Sequence, residues 1–336
     1  MMKTICALAS LCLAAGTLPA ADSPQAEIGN GVIRAKLYLP DANNGFYRGT
    51  RFDWSGVIYS LQYNGHDYYG PWFNKTAPNI RDFVFDGQDI IAGPCSGITG
   101  PVDEFRPLGW DEAAPGGTFV KIGVGALRKP GEGRYDNYHV YEIADPGERT
   151  VKRNRDSIKF TQQLSDASSG YGYAYRKVVR LIPGKPEMVL EHSLKNTGKN
   201  AIRTSVYNHN FLVLDKQQTG PDFTIAVPFQ IRSPRPPNNE LAEVRGNRIA
   251  YLKALTGRDV VSTPLEGFTG NAADSEFRIE NTKIGAGIKV VSDRPLMSES
   301  LWSIRTVIAM EPFTAIAIEP GAEFTWKSTY TYYTLP

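Results

Sequence analysis

The chain of 336 residues carries 37 lysine and arginine residues against 35 aspartate and glutamate residues, a formal net charge of +2. This balance provides no basic surface of the kind that binds nucleic acid or an anionic membrane. Hydrophobic residues make up 41% of the chain and charged residues 21%, which is typical of a globular protein, and 17 tyrosines, 32 glycines and 23 prolines indicate many short strands joined by tight turns.

The N-terminal segment has the features of an export signal. Lys3 provides a positive charge, and residues 5–16 form an apolar stretch that is too short to span a bilayer. Small residues follow, so cleavage after Ala20 or Ala21 is expected. We therefore expect residues 1–21 to be a signal peptide and residues 22–336 to form the folded domain of a periplasmic or secreted protein without a membrane span.

The cysteines exclude a framework of disulfides. Cys6 and Cys12 lie in the predicted signal, so Cys95 is left alone in the mature chain. No intrachain disulfide and no thiolate metal site can then form. We expect Cys95 to be a small buried side chain rather than a nucleophile.

Runs with alternating apolar and polar residues recur along the chain, which indicates strands with one buried and one solvated face. In chain order these runs are 32–39, 56–65, 81–87, 118–127, 137–144, 157–165, 173–183, 187–198, 223–231, 286–293 and 324–333. No long stretch has helical periodicity, no repeat is evident, and no linker divides the chain. The sequence therefore predicts a single all-β domain, a large antiparallel β-sandwich with few or no helices.

Four histidines are dispersed along the chain, at positions 66, 139, 192 and 209. None has the spacing of a metal-binding pair, so no metal site is predicted. His139 lies in the predicted strand 137–144, where we expect a structural role.

His209 lies in the apolar run 205-SVYNHNFLVLD-215, between two amides. In an ideal strand Asn208 and Asn210 point to the face opposite the imidazole, so they cannot both be its partners. The imidazole then requires a carboxylate, a backbone group or a ligand. Two interpretations stay open: a satisfied core histidine, or a proton donor in a cleft.

Glu311 follows the apolar run Val307–Met310 and precedes Pro312. A carboxylate at the end of a buried strand is costly unless it is paired or functional. Burial would raise its pKa and make it a usable base near neutral pH.

Three stretches resemble the galactose mutarotase-like superfamily of aldose 1-epimerases and their relatives. Segment 187–215 ends in an Asn-His motif followed by a large aromatic residue, and segment 301-LWSIRTVIAMEPF-313 resembles the strand that ends in the family's catalytic glutamate. Segment 319-EPGAEFTWKSTYTYY-333 resembles the closing turn and last strand, and 49–69 is similar to the opening hairpin.

The resemblance implies a β-supersandwich with a sugar-binding cleft and no metal or organic cofactor. It assigns His209 as the general acid that protonates the ring oxygen and Glu311 as the general base that takes the proton of the anomeric hydroxyl. The two side chains should then approach each other across the cleft.

The sequence departs from the family pattern at one place. Typical members carry a further histidine about a hundred residues before the Asn-His motif, whereas 97-GITGPVDEFRPLGW-110 contains none. Asp103, Glu104 and Arg106 are the candidates for that space, and Arg81 is a further candidate for sugar binding. Arg81 and Arg106 would suit a carboxylate-bearing or phosphorylated sugar, because guanidinium groups bind such anions bidentately.

Further substrate contacts are expected from the motif and from aromatic residues. We assign Asn208 of the Asn-His motif to substrate binding. Trp110 ends a loop and is expected to stack on the apolar face of a sugar. Trp302 begins a strand and is expected to pack in the core.

Three functions are compatible with these residues. The first is an exported sugar-converting enzyme of the aldose 1-epimerase type, acting on a small sugar. The second is a non-catalytic protein that binds a sugar or oligosaccharide on the same scaffold. The third is an enzyme related to polysaccharide lyases or hydrolases. A hydrolase needs two carboxylates near the bond that is cleaved, and Glu311 is the one clear candidate in the sequence.

Overall fold

The computed structural model describes residues 23–336, so the predicted signal peptide lies outside the described residues. Apart from two single-turn 3₁₀ helices, Leu214–Lys216 and Ala272–Asp274, the regular structure is entirely strand. The described strands are β1 (Gln25–Gly29), β2 (Arg34–Tyr38), β3 (Val57–Tyr63), β4 (His66–Asp67), β5 (Lys75–Thr76), β6 (Phe83–Asp86), β7 (Asp89–Ala92), β8 (Gly100–Phe105), β9 (Thr118–Lys121), β10 (Gly125–Arg128), β11 (Ile143–Asp145), β12 (Glu148–Arg153), β13 (Ser157–Asp166), β14 (Tyr171–Leu181), β15 (Glu187–Asn196), β16 (Ile202–Leu212), β17 (Phe223–Ala226), β18 (Ala242–Arg245), β19 (Arg248–Tyr251), β20 (Val261–Leu265), β21 (Glu276–Asn281), β22 (Ala286–Ser292), β23 (Ser298–Ile304), β24 (Val307–Ile318) and β25 (Glu323–Thr334).

Two large antiparallel sheets carry the architecture. The ten-stranded sheet has the order β12-β13-β14-β15-β25-β22-β21-β17-β19-β18, and the five-stranded sheet has the order β20-β23-β24-β16-β8. Three small sheets, β1-β2-β3-β4, β11-β10-β9 and β5-β7-β6, complete the structure. The expected all-β sandwich with few helices is therefore confirmed.

The main core lies between the two large sheets. Alternation turns every second side chain of a strand inward, and burial of these apolar side chains drives the sheets together. Leu190 and Ile288 of the ten-stranded sheet and Leu301 and Met310 of the five-stranded sheet belong to one buried cluster. The five-stranded sheet is thus fixed against a broad support.

A second core covers the outer face of the five-stranded sheet. Phe52, Trp72 and Val102 pack there with Phe211 and Val307, all of them buried. Because β16 is covered on both faces, nearly all of its side chains are buried, and its sequence lacks a simple alternation of apolar and polar residues. The functional side chains lie between the five-stranded sheet and this cover.

One glycine allows β8 to begin in direct contact with β3 of the four-stranded sheet. Gly100 has a φ of 74°. A Cβ atom at this position would meet the carbonyl oxygen of Ile58 at 2.3 Å. Only glycine accepts both the backbone conformation and the close approach, so β8 can lie directly against β3.

Three predicted strands differ clearly from the structure. The run 223–231 is strand only over Phe223–Ala226. The run 118–127 forms two strands, β9 and β10, separated by a turn at Gly123, whose φ is 81°. In the run 137–144 the strand β11 begins only at Ile143. Residues 137–138 form a turn, in which the Asp136 carboxylate accepts a hydrogen bond from the Tyr138 amide at 2.9 Å. His139 lies in the bend that follows this turn and not on a strand.

Candidate functional site

The pairing register of the five-stranded sheet brings His209 and Glu311 together. β16 and β24 are antiparallel, with Asn210 opposite Met310. His209 precedes Asn210 and Glu311 follows Met310, so the two side chains are cross-strand neighbours on the same face. On the other side of β24, Ser300 is opposite Glu311. Three polar side chains from three adjacent strands thus form one row on the outer face.

The atoms of this row are within contact distance. Nε2 of His209 lies 3.0 Å from Oε1 of Glu311. The hydroxyl of Ser300 donates a hydrogen bond of 2.8 Å to Oε2 of the same carboxyl group. The imidazole stacks on the ring of Phe211 with centroids 3.7 Å apart, and its Nδ1 is buried without a hydrogen-bond partner among residues 23–336. The expected approach of His209 and Glu311 is therefore observed.

Burial shifts both ionisable groups towards their neutral forms. It raises the pKa of Glu311 to about 7, against the opposing effects of the Ser300 hydrogen bond and the positive charge of Arg51. Burial also lowers the pKa of His209 well below its usual value, and the charge of Arg51 lowers it further. Up to about pH 7 these shifts favour one proton on the pair, held by the carboxyl group of Glu311 beside a neutral imidazole.

The His209–Glu311 pair opens into a cleft with a volume of about 180 Å³. Besides this pair, the cleft is lined by aromatic and polar side chains. The aromatic residues are Trp72, Phe83, Tyr138, Phe211 and Trp302, and the polar residues are Arg51, Asp82, Ser96 and Ser262. Apolar walls with a few convergent polar groups are typical of sites for small neutral or polar ligands, and aromatic faces cover the C–H surfaces of sugars well.

A buried ion-pair network supports one wall of the cleft. Glu104 accepts a 2.7 Å hydrogen bond from Nε of Arg51 and another from the hydroxyl of Tyr207. Burial alone would raise the pKa of Glu104, but the charges of Arg51 and Lys121 hold it below its usual value. Burial lowers the pKa of Lys121 to about 8. Glu104 is thus the anion that keeps Arg51 charged and in place.

The structure turns Asn208 away from the cleft. Its side chain donates to Asp103 at 3.1 Å and accepts a hydrogen bond of 2.7 Å from the hydroxyl of Tyr330, between the two sheets. Asp103 in turn pairs with Lys177 at 2.6 Å and with His192 at 3.0 Å. The assignment of Asn208 to substrate binding is corrected, because strand alternation places it on the face opposite His209. Of the candidates for the missing histidine, Asp103 belongs to this inner face as well.

The two predicted sugar-binding arginines lie outside the cleft lining. Arg81 is exposed, pairs bidentately with Asp136 at 2.8 and 3.2 Å, and stacks 4.6 Å over the ring of Tyr138 at the cleft edge. Arg106 is exposed after the end of β8, and its backbone amide pairs with Ser205. The charge of Arg81 is already matched by a carboxylate, so a role in binding anionic sugars has no support from its contacts.

Trp110 was expected to contact the sugar and Trp302 to pack in the core, and the structure places them the other way round. Trp110 is buried in an aromatic cluster with Phe119, Tyr135 and Tyr141, and its indole N–H donates to a backbone carbonyl at 3.2 Å. Trp302 lines the cleft instead. The preference for Trp110 as the sugar contact is therefore reversed.

Sequence reasoning missed Arg51 and Asp82 as cleft residues. Arg51 lies in 49-GTRFDWSG-56, between buried residues, and its guanidinium stacks on Phe52 at 4.5 Å and on Tyr138 at 4.8 Å. A charged residue inside an otherwise buried segment was the available signal for Arg51. Asp82 precedes β6 without any pattern that distinguishes it from a surface residue.

Within residues 23–336, neither a metal-binding cluster nor a membrane-crossing helix is found. No group of three or more histidine, cysteine, aspartate or glutamate side chains in this part of the chain is arranged to hold a metal ion. None of the helices described is long and apolar enough to cross a bilayer.

Comparison with known proteins identifies the fold. No protein-family model matches the chain. No curated protein matches it either. Among solved structures, a galactose mutarotase related enzyme from Lactobacillus acidophilus matches 92% of this chain and 97% of its own, with 15% identity and a TM-score of 0.51.

Two other solved structures give the same result. A galactose mutarotase-like protein from Lactobacillus casei has 14% identity, with 92% and 100% of the two chains covered and a TM-score of 0.52. An aldose epimerase homologue from C. elegans has 12% identity, with 94% and 100% covered and a TM-score of 0.52. The fold implied by the sequence resemblance, a galactose mutarotase-like sandwich, is thereby confirmed.

Proposed function

We propose that this chain, whose fold is that of the galactose mutarotase-like proteins, interconverts the anomers of a sugar by general acid and base catalysis. The observation that carries the proposal is the contact of 3.0 Å between His209 and Glu311 in a cleft with aromatic walls. A base and an acid within reach of one hemiacetal are what anomer exchange requires. No redox step and no group transfer is involved.

The proton balance follows from the state of the pair. Transfer of the one proton from Glu311 to His209, across the contact of 3.0 Å, gives the tautomer with a Glu311 carboxylate and a His209 imidazolium, which holds a base and an acid together. The carboxylate takes the proton of the anomeric hydroxyl, and the imidazolium gives its proton to the ring oxygen. The bond between the anomeric carbon and the ring oxygen breaks, and a carbonyl group forms at the anomeric carbon. Rotation about the adjacent carbon–carbon bond and reversal of the proton transfers close the ring as the other anomer.

Replacing the proposed base tests this mechanism. Glu311→Gln keeps the shape of the side chain but cannot take a proton, so we expect anomer exchange to fall by about 10²- to 10⁴-fold. Exchange is measured by NMR or polarimetry on a panel of aldoses and uronic acids. Glu319→Gln is the matched control, because Glu319 lies just past β24 and its side chain is 68% exposed. Unchanged exchange in Glu311→Gln would remove this carboxyl group from the mechanism.

The same panel, extended with oligosaccharides, separates the alternative functions. Sugar affinity in a calorimetric titration without exchange in the wild-type protein would assign the chain to carbohydrate binding. Cleavage of oligosaccharides would assign it to the hydrolases or lyases. Export to the periplasm or the medium is a further proposal, supported by the composition of residues 1–21.

A further inference from the structure

A second carboxylate belongs to the cleft, and the proton-transfer chemistry does not use it. Asp82 lines the same cleft as His209 and Glu311. It directly precedes β6, and its backbone carbonyl accepts a hydrogen bond of 2.6 Å from the amide of Gly93. The backbone of Asp82 is therefore anchored independently of what its side chain does.

The side chain of Asp82 is held in a defined orientation. Oδ1 accepts a hydrogen bond from the hydroxyl of Ser96, which also lines the cleft. Burial raises the pKa of Asp82, while the Ser96 hydrogen bond and the positive charge of Arg51 oppose that shift. The carboxyl group is thus partly withdrawn from water and bordered by the hydroxyls of Ser96 and Tyr138 and by a cation, the surroundings of a preorganised acceptor.

Arg51 supplies donors to the same region of the cleft. Its hydrogen bonds to Glu104 and Tyr207 use Nε and Nη2, and Nη1 takes part in neither. The guanidinium stacks on Tyr138, which fixes its plane. The cleft therefore offers an acceptor at Asp82 and a donor at Arg51, beside the His209–Glu311 pair.

This combination matches the chemistry of adjacent sugar hydroxyl groups. Each hydroxyl is both a donor and an acceptor, so a carboxylate and a guanidinium together can satisfy two neighbouring hydroxyls. A carboxylate has about four acceptor positions, so the hydroxyls of Ser96 and Tyr138, which line the same cleft, leave capacity for a ligand hydroxyl.

We propose that Asp82, together with Arg51, binds sugar hydroxyl groups away from the anomeric carbon and so orients the ring towards the His209–Glu311 pair. The inference rests on the proposed function in that the ligand is a sugar with a free anomeric centre. It assigns Asp82 to ring orientation and specificity, not to proton transfer.

Deoxy sugars test this assignment directly. D-glucose, D-galactose and their monodeoxy derivatives are titrated by calorimetry and assayed for anomer exchange with the wild-type protein, Asp82→Asn and Asp82→Ala. Asp82→Asn retains an oxygen that can accept from Ser96, so it preserves the local packing. Asp86→Asn is the matched control, because Asp86 is an exposed residue at the end of β6, the strand that Asp82 precedes.

A hydrogen bond to a charged group predicts the size of the effect. Removing the hydroxyl that contacts Asp82 should weaken binding to the wild-type protein by about 10- to 100-fold. Asp82→Asn and Asp82→Ala should bind the parent sugar more weakly by a similar factor and should lose sensitivity to that one deoxy position. Asp86→Asn should behave as the wild type.

The outcomes separate this inference from the proposed function. Exchange that is unaffected by Asp82→Asn and Asp82→Ala, with the deoxy sensitivity retained, overturns the role of Asp82 and leaves anomer exchange standing. Binding that depends on Asp82 at one hydroxyl position, without exchange of any sugar, supports the inference and overturns the proposed function. Absence of binding for the whole panel, with folded protein, overturns both.

Discussion

A buried carboxyl group behind the cleft should make the stability of the protein depend on pH. Glu299 precedes Ser300 on β23, so its side chain points to the face opposite the cleft. It is 3% exposed, and its Oε2 has no hydrogen-bond partner among the described residues. Burial raises its pKa to about 8. We expect Glu299→Gln to abolish the resulting pH dependence, because an amide of the same shape stays neutral.

The sign and size of the change in the free energy of unfolding with pH follow from the protonation of Glu299 in the unfolded and the folded state. The unfolded chain ionises Glu299 near its ordinary pKa of 4.5, whereas the folded protein keeps the proton up to about pH 8. The folded state therefore binds the extra proton, and the free energy of unfolding falls as pH rises between these values. The limiting slope for one proton is about 1.4 kcal/mol per pH unit, so the loss between about pH 5 and pH 8 is on the order of 4 kcal/mol.

Urea denaturation followed by tryptophan fluorescence at pH values from about 5 to 9 measures this difference. Glu311, whose pKa is raised to about 7, contributes to the slope in the wild-type protein and in Glu299→Gln alike. The difference between the two proteins therefore isolates Glu299: similar stability near pH 5, and a more stable variant near pH 8. Glu319→Gln should retain the wild-type slope. Equal slopes for wild type and Glu299→Gln would refute the assignment of a neutral buried carboxyl group.

Two further predictions concern the cleft. The rate of anomer exchange should fall above about pH 7, because the His209–Glu311 pair then loses its proton. The rate should also fall in acid, because a second proton then blocks the base. A flat pH profile of kcat/KM would contradict catalysis by a pair that carries one proton. Glu104→Gln leaves the buried Arg51 without its anion, so urea titration should detect a loss of about 3 kcal/mol. Because the amide oxygen of the variant is neutral and holds Arg51 and Tyr207 less strongly than the carboxylate does, KM should rise, and a variant with wild-type stability and KM would show that Glu104 does not hold this wall.

The fold could be predicted from local patterns where strands are long and have one face in the core. In β25 the side chains of Trp326, Ser328, Tyr330 and Tyr332 are buried in strict alternation, so the sequence alone defines the strand. The turn at 137–138 could not be predicted in this way, because hydrogen bonds from the Tyr138 and His139 amides to Asp136 outweigh the apolar pattern.

The site depended on information that periodicity does not contain. His209 and Glu311 are cross-strand neighbours through a register between strands about a hundred residues apart, and only the family resemblance suggested that they meet. Arg51 and Asp82 reach the cleft from segments outside the five-stranded sheet, so no strand pattern marks them. Asn208 shows the reverse case: alternation alone places it in the core, and the motif assignment was wrong.

Two adjacent carboxylates on β8 fix the pairing register of this strand against β16 and thereby position the wall of the cleft. Asp103 faces the ten-stranded sheet and pairs with Lys177, whereas Glu104 faces outward and pairs with Arg51. A slip of β8 by one residue against β16 would exchange the two faces and separate both carboxylates from their cations. Breaking a buried pair by removing one partner costs about 3–5 kcal/mol, so the slipped arrangement would lose a large part of the stability of the domain. The two buried networks therefore hold β8 in the single register that keeps Glu104 beside Tyr207 and the guanidinium of Arg51 in the cleft wall.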